Sequence, residues 1–532
     1  MKKLSLLFLI ILIPFLSSAQ TLGPESTEMD NFNTIRQNSV STIAAFGDTV
    51  WISPALNRNI GNAAEWYSPE NAEEVVNGIG RVFSLTLAED TVVAGLGFSA
   101  ESPDGSVPAG YGFYTSTDGG DTWTFNEFPL HEDPPASCDL NSEEYDPTCD
   151  ISFQYGGQTY TRIRTTVPEQ SPPYAVDSKG DVLVAATWAS GLLRSLDFGQ
   201  SWDRIILPPF SSSGLDPDNE YEWTSTYNNE TINRYDARRD NNLLGFGVLI
   251  DSQDRVWFGS AGGINISENA LKAPTDSITW NHIRFDDTSD GLLGDWIISI
   301  NEDPQTNRIW LTNWIASQPQ QQGLVYTDNG GQSFTQVLIG ERINDVGFKD
   351  GYVFAAGDNG LFISEDGGES WVKSPQIKSP NTFIKSSAEF YTVASTTDRI
   401  WIGTSDGIAS TDDLGTTWEI IRVNFPLQGG NAYEPDGRSA DTYAYPNPFS
   451  PTVHEVIRIK FEVEEQGNVK VRVFDFGMNL VREIEDASFA PGIYESVWDG
   501  YDGKGRKVAN GPYIYIIETE SEQTNGKILV AD

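Results

Sequence analysis

Histidine, cysteine and methionine are almost missing from this 532-residue chain, which carries 3, 2 and 3 of them. The histidines, His131, His282 and His454, stand far apart, which leaves too few ligands for a zinc centre and no basis for a histidine proton relay. Basic residues are also scarce: 34 Lys and Arg face 76 Asp and Glu, a net charge of -42. Phosphate backbones and anionic membrane surfaces repel such a chain at long range, so nucleic acid is excluded as a partner. Apolar runs are short. Leu4 to Leu16 is too short to cross a bilayer and no second run follows, so no membrane span is expected. No phosphate-binding loop, dinucleotide fingerprint or Ser-His-Asp order is present.

What is there begins with an export leader. Lys2 and Lys3 precede the apolar run, and Ser17-Ser18-Ala19 forms a small-residue cleavage site. Residues 1–19 read as a signal peptide and 20–38 as an N-terminal tail, or a strand that completes a ring. In an exported chain the lone pair Cys138 and Cys149 reads as a disulfide closing about a dozen residues, a restraint of roughly 2 to 3 kcal/mol.

One short pattern recurs along residues 39–423. Ser364, Asp366, Gly368 and Trp371 return as Ser116, Asp118, Gly120 and Trp123, then as Ser195, Asp197, Gly199 and Trp202. Thr411, Asp413, Gly415 and Trp418 repeat it again, and Thr327, Asn329, Gly331 and Phe334 carry it with Asn for Asp. The chemistry is that of a tight turn between strands: a hydroxyl and a carboxylate cap backbone N–H groups, Gly supplies a positive φ, and the aromatic packs beneath. Ahead of the turns lie apolar runs such as Val50-Trp51-Ile52, Val256-Trp257-Phe258 and Ile400-Trp401-Ile402, and seven of them can be counted.

The pattern resembles the Asp box, or BNR repeat, which implies a β-propeller, here of seven blades. Leu292 to Thr312 and Asp398 to Gly407 also resemble the propeller repeats of two-component regulators. Asp boxes occur in sialidases too, but Arg162-Ile163-Arg164 lacks the proline of that family's Arg-Ile-Pro motif, and seven blades disagree with six.

Two long insertions interrupt the repeats, Pro129 to Pro173 and Ser211 to Asn242, and loops of this length are functional or disordered. They are expected to gather at one end of the channel, with the disulfide bracing a loop over it. The second holds Arg234, Arg238 and Arg239, a clamp for an acidic ligand or partners of Asp236 and Asp240. It also holds Asp216, Asp218 and Glu220, which alternate as calcium ligands do but equally suit a solvated acidic loop; no other cofactor is expected. Trp188, Trp223, Trp296 and Trp314 are candidates for a carbohydrate surface, with blade packing as the alternative.

Residues 424–443 read as a Gly- and Pro-bearing linker, and 444–532 as a β-sandwich with alternating Ile457, Ile459, Phe461 and Val469, Val471, Val473. Tyr445-Pro-Asn-Pro-Phe449, Val497-Trp-Asp-Gly500 and Gly511-Pro-Tyr-Ile-Tyr515 resemble the C-terminal sorting domain of type nine secretion, similar to the Ig-like domain of hook-capping proteins. That resemblance implies recognition by outer-membrane secretion machinery and a secreted or cell-surface location after periplasmic transit. The expectation is an all-β chain, a seven-bladed propeller followed by a small Ig-like sandwich, that binds or scaffolds through a glycan or protein ligand. The alternative is a propeller glycosidase or lyase; no catalytic residue is singled out.

Overall fold

The computed structural model describes residues 29–32, 34–69, 80–102, 105–139, 144–380, 382–423 and 442–532. The expected leader and most of the expected linker lie outside them.

Seven antiparallel sheets of four or five strands form a closed propeller. Their innermost strands are Thr42–Phe46, Gly80–Ala88, Pro173–Lys179, Gly245–Ile250, Trp296–Glu302, Ile343–Lys349 and Phe390–Ser395, each touching the next and the last touching the first. Second strands such as Val182–Thr187, Val256–Ser260 and Ile400–Thr404 are buried along their whole length. A blade lies between two others, so both faces of this strand are covered and the sequence reads as a continuous apolar run.

The ring closes between blades 1 and 7 without a shared strand. Asn38 accepts from Gly407 N (2.6 Å) through its backbone and from Val423 N (2.8 Å) through its side chain, while Val40 N donates to Thr404 O (3.0 Å). Trp66 of blade 1 meets Trp401 of blade 7 edge to face, centroids 6.0 Å apart. Strand Met29–Phe32 adds to the outer edge of blade 1, pairing with Trp66–Pro69.

The recurring turn joins the third and fourth strands. In blade 6, Ser364 Oγ accepts from Gly368 N (2.8 Å) and donates to Asp366 Oδ1 (2.7 Å), while Asp366 accepts from Ser370 N (2.8 Å). The same bonds are made around Asp118, Asp197, Asn329 and Asp413. The turn also binds the preceding blade: Arg308 Nη1 donates to Gly367 O (2.8 Å), and a Cβ at Gly368, where φ is +100°, would come within 2.4 Å of Trp310 Cη2. Arg58 and Trp51 hold Gly119 O of blade 2 likewise (3.0 and 3.3 Å). Blade 4 keeps the turn bonds at Ser267 and Asn269, with Thr279 N reaching Asn269 Oδ1 (2.9 Å) across an inserted segment.

The described residues of the two insertions lie to the side of the blades and not over the channel. Hairpin Asp150–Tyr155/Gln158–Ile163 of the first joins Tyr235 of the second, Tyr235 N donating to Thr161 O (3.0 Å), and both pack on the outer flank of blades 3 and 4. Their aromatic side chains decide this: Tyr155 and Trp223 are buried with Val184, Phe258 and Trp280, and Tyr155 OH donates to Ile278 O (2.8 Å). Cys138 and Cys149 are bonded, S–S 2.02 Å, and so brace this flank.

The C-terminal unit is a sandwich of a three-stranded sheet, Thr442–Tyr445, Ile457–Val463 and Gly492–Trp498, on a four-stranded one. Thr442 and Tyr443, expected in the linker, belong to its first strand. Val469, Val471 and Val473 alternate into a core with Ile457, Ile459, Phe461 and Trp498. The sandwich is seated on blade 7 through a buried network: Arg422 and Arg458 share Asp406 and Glu495, and no side chain of the four is more than 8% exposed. The two units on either side of the expected linker thus share a buried ion-pair network.

Candidate functional site

Six of the seven innermost strands carry a register shift near their start, and the residues that it displaces include Phe83, Tyr174, Asn344 and Tyr391. A β-bulge turns the displaced side chain out of the ladder. Here these four, with Trp314, border a cavity of about 370 Å³ lined by all seven inner strands. Phe246, displaced in blade 4, continues the row: Phe83 meets Tyr174 (6.0 Å), Tyr174 meets Phe246 (6.1 Å), and Phe246 meets Trp188 (4.9 Å) and Trp296 (5.4 Å). All of these rings are half-buried. Two cations lie on the belt, Arg81 over Phe83 at 4.4 Å and Arg342 over Trp314 at 3.7 Å.

Among the residues lining the cavity, Asp345 is the one carboxylate. It accepts from Ser299 Oγ and Asn301 Nδ2 of blade 5 (both 2.9 Å) and from Thr392 Oγ1 (2.9 Å) and Val393 N (3.0 Å) of blade 7. Burial pushes its carboxyl above the usual range, and these donors oppose the rise. With both oxygens engaged, Asp345 rivets three blades and has no partner carboxylate for acid–base work on a glycosidic bond. Asp177 does the same further along the strands, accepting from Ile250 N (2.6 Å) and Ser178 N (2.8 Å). Burial raises it to about 6.

The structure divides the residues singled out from sequence. Trp188 and Trp296 are in ring contact (6.5 Å) and Trp314, paired with Trp296 in the ladder, borders the cavity, whereas Trp223 is 1% exposed in the flank core, its Nε1 donating to Leu207 O (3.1 Å). Arg234 is buried against Asp150 and Tyr227, Arg238 Nη2 pairs with Asp236 (2.7 Å), and Arg239 lies over Tyr227 at 5.3 Å. These three arginines hold the insertions together and are absent from the channel lining. Asp216 caps its own turn, accepting from Asp218 N (2.9 Å), and Glu220 sits by Gln158 (3.5 Å). Among the described residues the one group close enough to share an ion is Cys138, Asp146 and Cys149, and its two sulfurs are spent in the disulfide. The calcium reading thus finds no convergent ligands at Asp216, Asp218 and Glu220.

Residues 454–523 match the FlgD Ig-like domain family, which describes the sandwich and not the propeller. No curated protein matches the chain in sequence. Among solved structures it is similar to PorZ, an essential surface component of the type IX secretion system of Porphyromonas gingivalis. Identity there is 12% over 93% of this chain and 81% of that one, with a TM-score of 0.35. It is similar to YCF48 from Cyanidioschyzon merolae at 15% identity, covering 73% of this chain and 98% of that one, TM-score 0.40. It is also similar to a GH74 xyloglucanase from Xanthomonas campestris at 11%, covering 92% and 65%, TM-score 0.46. At these identities and scores the likenesses carry no argument about ligand or reaction. No helix among the described residues is long and apolar enough to cross a membrane.

Proposed function

We propose that this protein is exported to the cell surface and there binds an extracellular glycan at the mouth of its propeller channel, without cleaving it. The observation that carries the reading is the row of displaced aromatics, Phe83, Tyr174 and Phe246, continued by Trp188 and Trp296 beside a cavity with a single, fully engaged carboxylate. Aromatic faces with an apolar body and a polar edge suit the C–H faces of sugar rings, and a bulge on each strand presents them without disturbing the core. Export rests on the leader and on the resemblance of 444–532 to a secretion sorting domain. The sandwich then serves as the element read at the outer membrane while seated on blade 7. Two assays test this. Surface labelling of intact cells is expected to reach the protein, and label confined to broken cells would contradict the location. Incubation with a panel of polysaccharides is expected to give retention with no new reducing ends; release of reducing ends that Asp345→Asn abolishes would contradict the binding role.

A further inference from the structure

A second cavity lies where the first insertion meets blade 3. It has room for about 30 Å³, one or two waters' worth, between His131, Arg162, Thr165, Ser190, Arg204 and Tyr235. Arg162 is 9% exposed and lies over the rings of Phe153 (4.4 Å) and Tyr235 (5.3 Å). Arg204 Nη2 donates to Pro129 O, but its Nη1 is buried with no partner. Neither guanidinium makes an ion pair among the described residues. Asp240, which acts on Tyr235, is held by Phe210 N and Asn242 N (both 2.9 Å).

The charges that act here are cationic. Burial first, then Arg204, Arg162 and Arg164, push the His131 imidazole down to about 4, so it is neutral at pH 7. Its Nδ1 accepts from Thr165 N (2.9 Å), which places the proton on Nε2 as a further donor. Two buried guanidiniums without a counter-charge are costly unless an anion completes the site.

We infer that this cavity is a binding site for a small monovalent anion, a halide or a carboxylate of formate size, held by Arg162 and Arg204 at the join between the first insertion and blade 3. Room for one or two waters favours such an ion over phosphate or sulfate. Bound there, the anion bridges one arginine from each side, offsets one of their two positive charges, and so fastens the insertion to the propeller.

The test is ³⁵Cl line broadening by the full-length protein. Wild type is expected to broaden the chloride line saturably, with formate reversing the effect and sulfate at equal ionic strength leaving it. Arg204→Met, checked for native circular dichroism, is expected to raise the half-saturating chloride about tenfold or more, the loss of a charged hydrogen bond. Arg162→Gln gives the second reading if Arg204→Met does not fold. Absence of saturable broadening in wild type would overturn the proposal, and so would broadening that either folded variant leaves unchanged. A free ion and a ligand's carboxylate are told apart by adding uronate oligosaccharides: displacement of chloride at lower concentration than formate identifies the ligand as the natural source, and displacement no better than formate identifies the free ion.

Discussion

Arg458→Met tests how the sandwich is held to the propeller. Arg458 donates to Glu495 Oε1 and Asp406 Oδ2 (both 2.8 Å), Phe383 O (2.9 Å) and Thr382 Oγ1 (3.2 Å). Removing one partner of a buried ion pair costs about 3 to 5 kcal/mol, because the remaining charge stays desolvated. Arg422 still pairs with Asp406 (3.0 Å) and Glu495 (3.4 Å), so the loss is expected at the lower end, about 3 kcal/mol. Burial alone would raise the Glu495 carboxyl, yet Arg458 and Arg422 outweigh it and hold it below its ordinary range. Glu495 therefore adds stability above its unfolded pKa and loses it as pH falls through the lower folded value. Urea unfolding read by hydrogen exchange at strand Ile457–Val463 and at blade 7 should give one shared transition in wild type and two in Arg458→Met. Adding Glu495→Gln should cost less than the two single changes together, with a coupling of about 1 kcal/mol or more. A variant within about 0.5 kcal/mol of wild type, its two units still unfolding together, would refute the network as the coupling element.

Gly368→Ala should destabilise by about 2 to 4 kcal/mol, since it adds both a positive-φ penalty and a collision with Trp310. Gly340→Ala, with φ of +95° and open space around it, should cost only the first part, and equal losses in denaturant titrations would remove the role of the turn as an inter-blade clasp. Asp177 binds its proton more tightly folded than unfolded, so its contribution is full below about pH 4 and is lost as pH rises through about 6. The rise from 3.8 to about 6 is worth at most about 3 kcal/mol, and Asp177→Asn should gain that much on wild type between pH 4 and pH 7. A constant difference across that range would contradict the shift.

The propeller was legible in the sequence because its signals are local. Runs such as Ile400-Trp401-Ile402 mark strands covered on both faces, and the alternation of Val469, Val471 and Val473 marks a sandwich strand with one buried face. The channel mouth was legible only in part. Trp188, Trp296 and Trp314 stand out as large aromatics, but Phe83, Tyr174, Phe246 and Tyr391 come together through bulges on four different blades, a juxtaposition no local pattern encodes. Their one trace is an aromatic just ahead of the inner-strand alternation. The Arg234 cluster left a clamp and local ion pairs both open, because Asp150, a partner of Arg234, lies in the other insertion and only the fold brings the two together. Arg422 and Arg458 escaped notice because each looks like a solitary charge at the edge of a strand.

The central claim is that the aromatic belt is the ligand seat. It is tested most directly by calorimetric titration of the retained oligosaccharide into wild type, Trp296→Ala and Trp188→Ala. Each change should weaken binding by about two- to tenfold, the value of one aromatic contact, with the melting temperature little altered because both rings are half-buried. Undiminished affinity in both variants would place the ligand elsewhere and contradict the account.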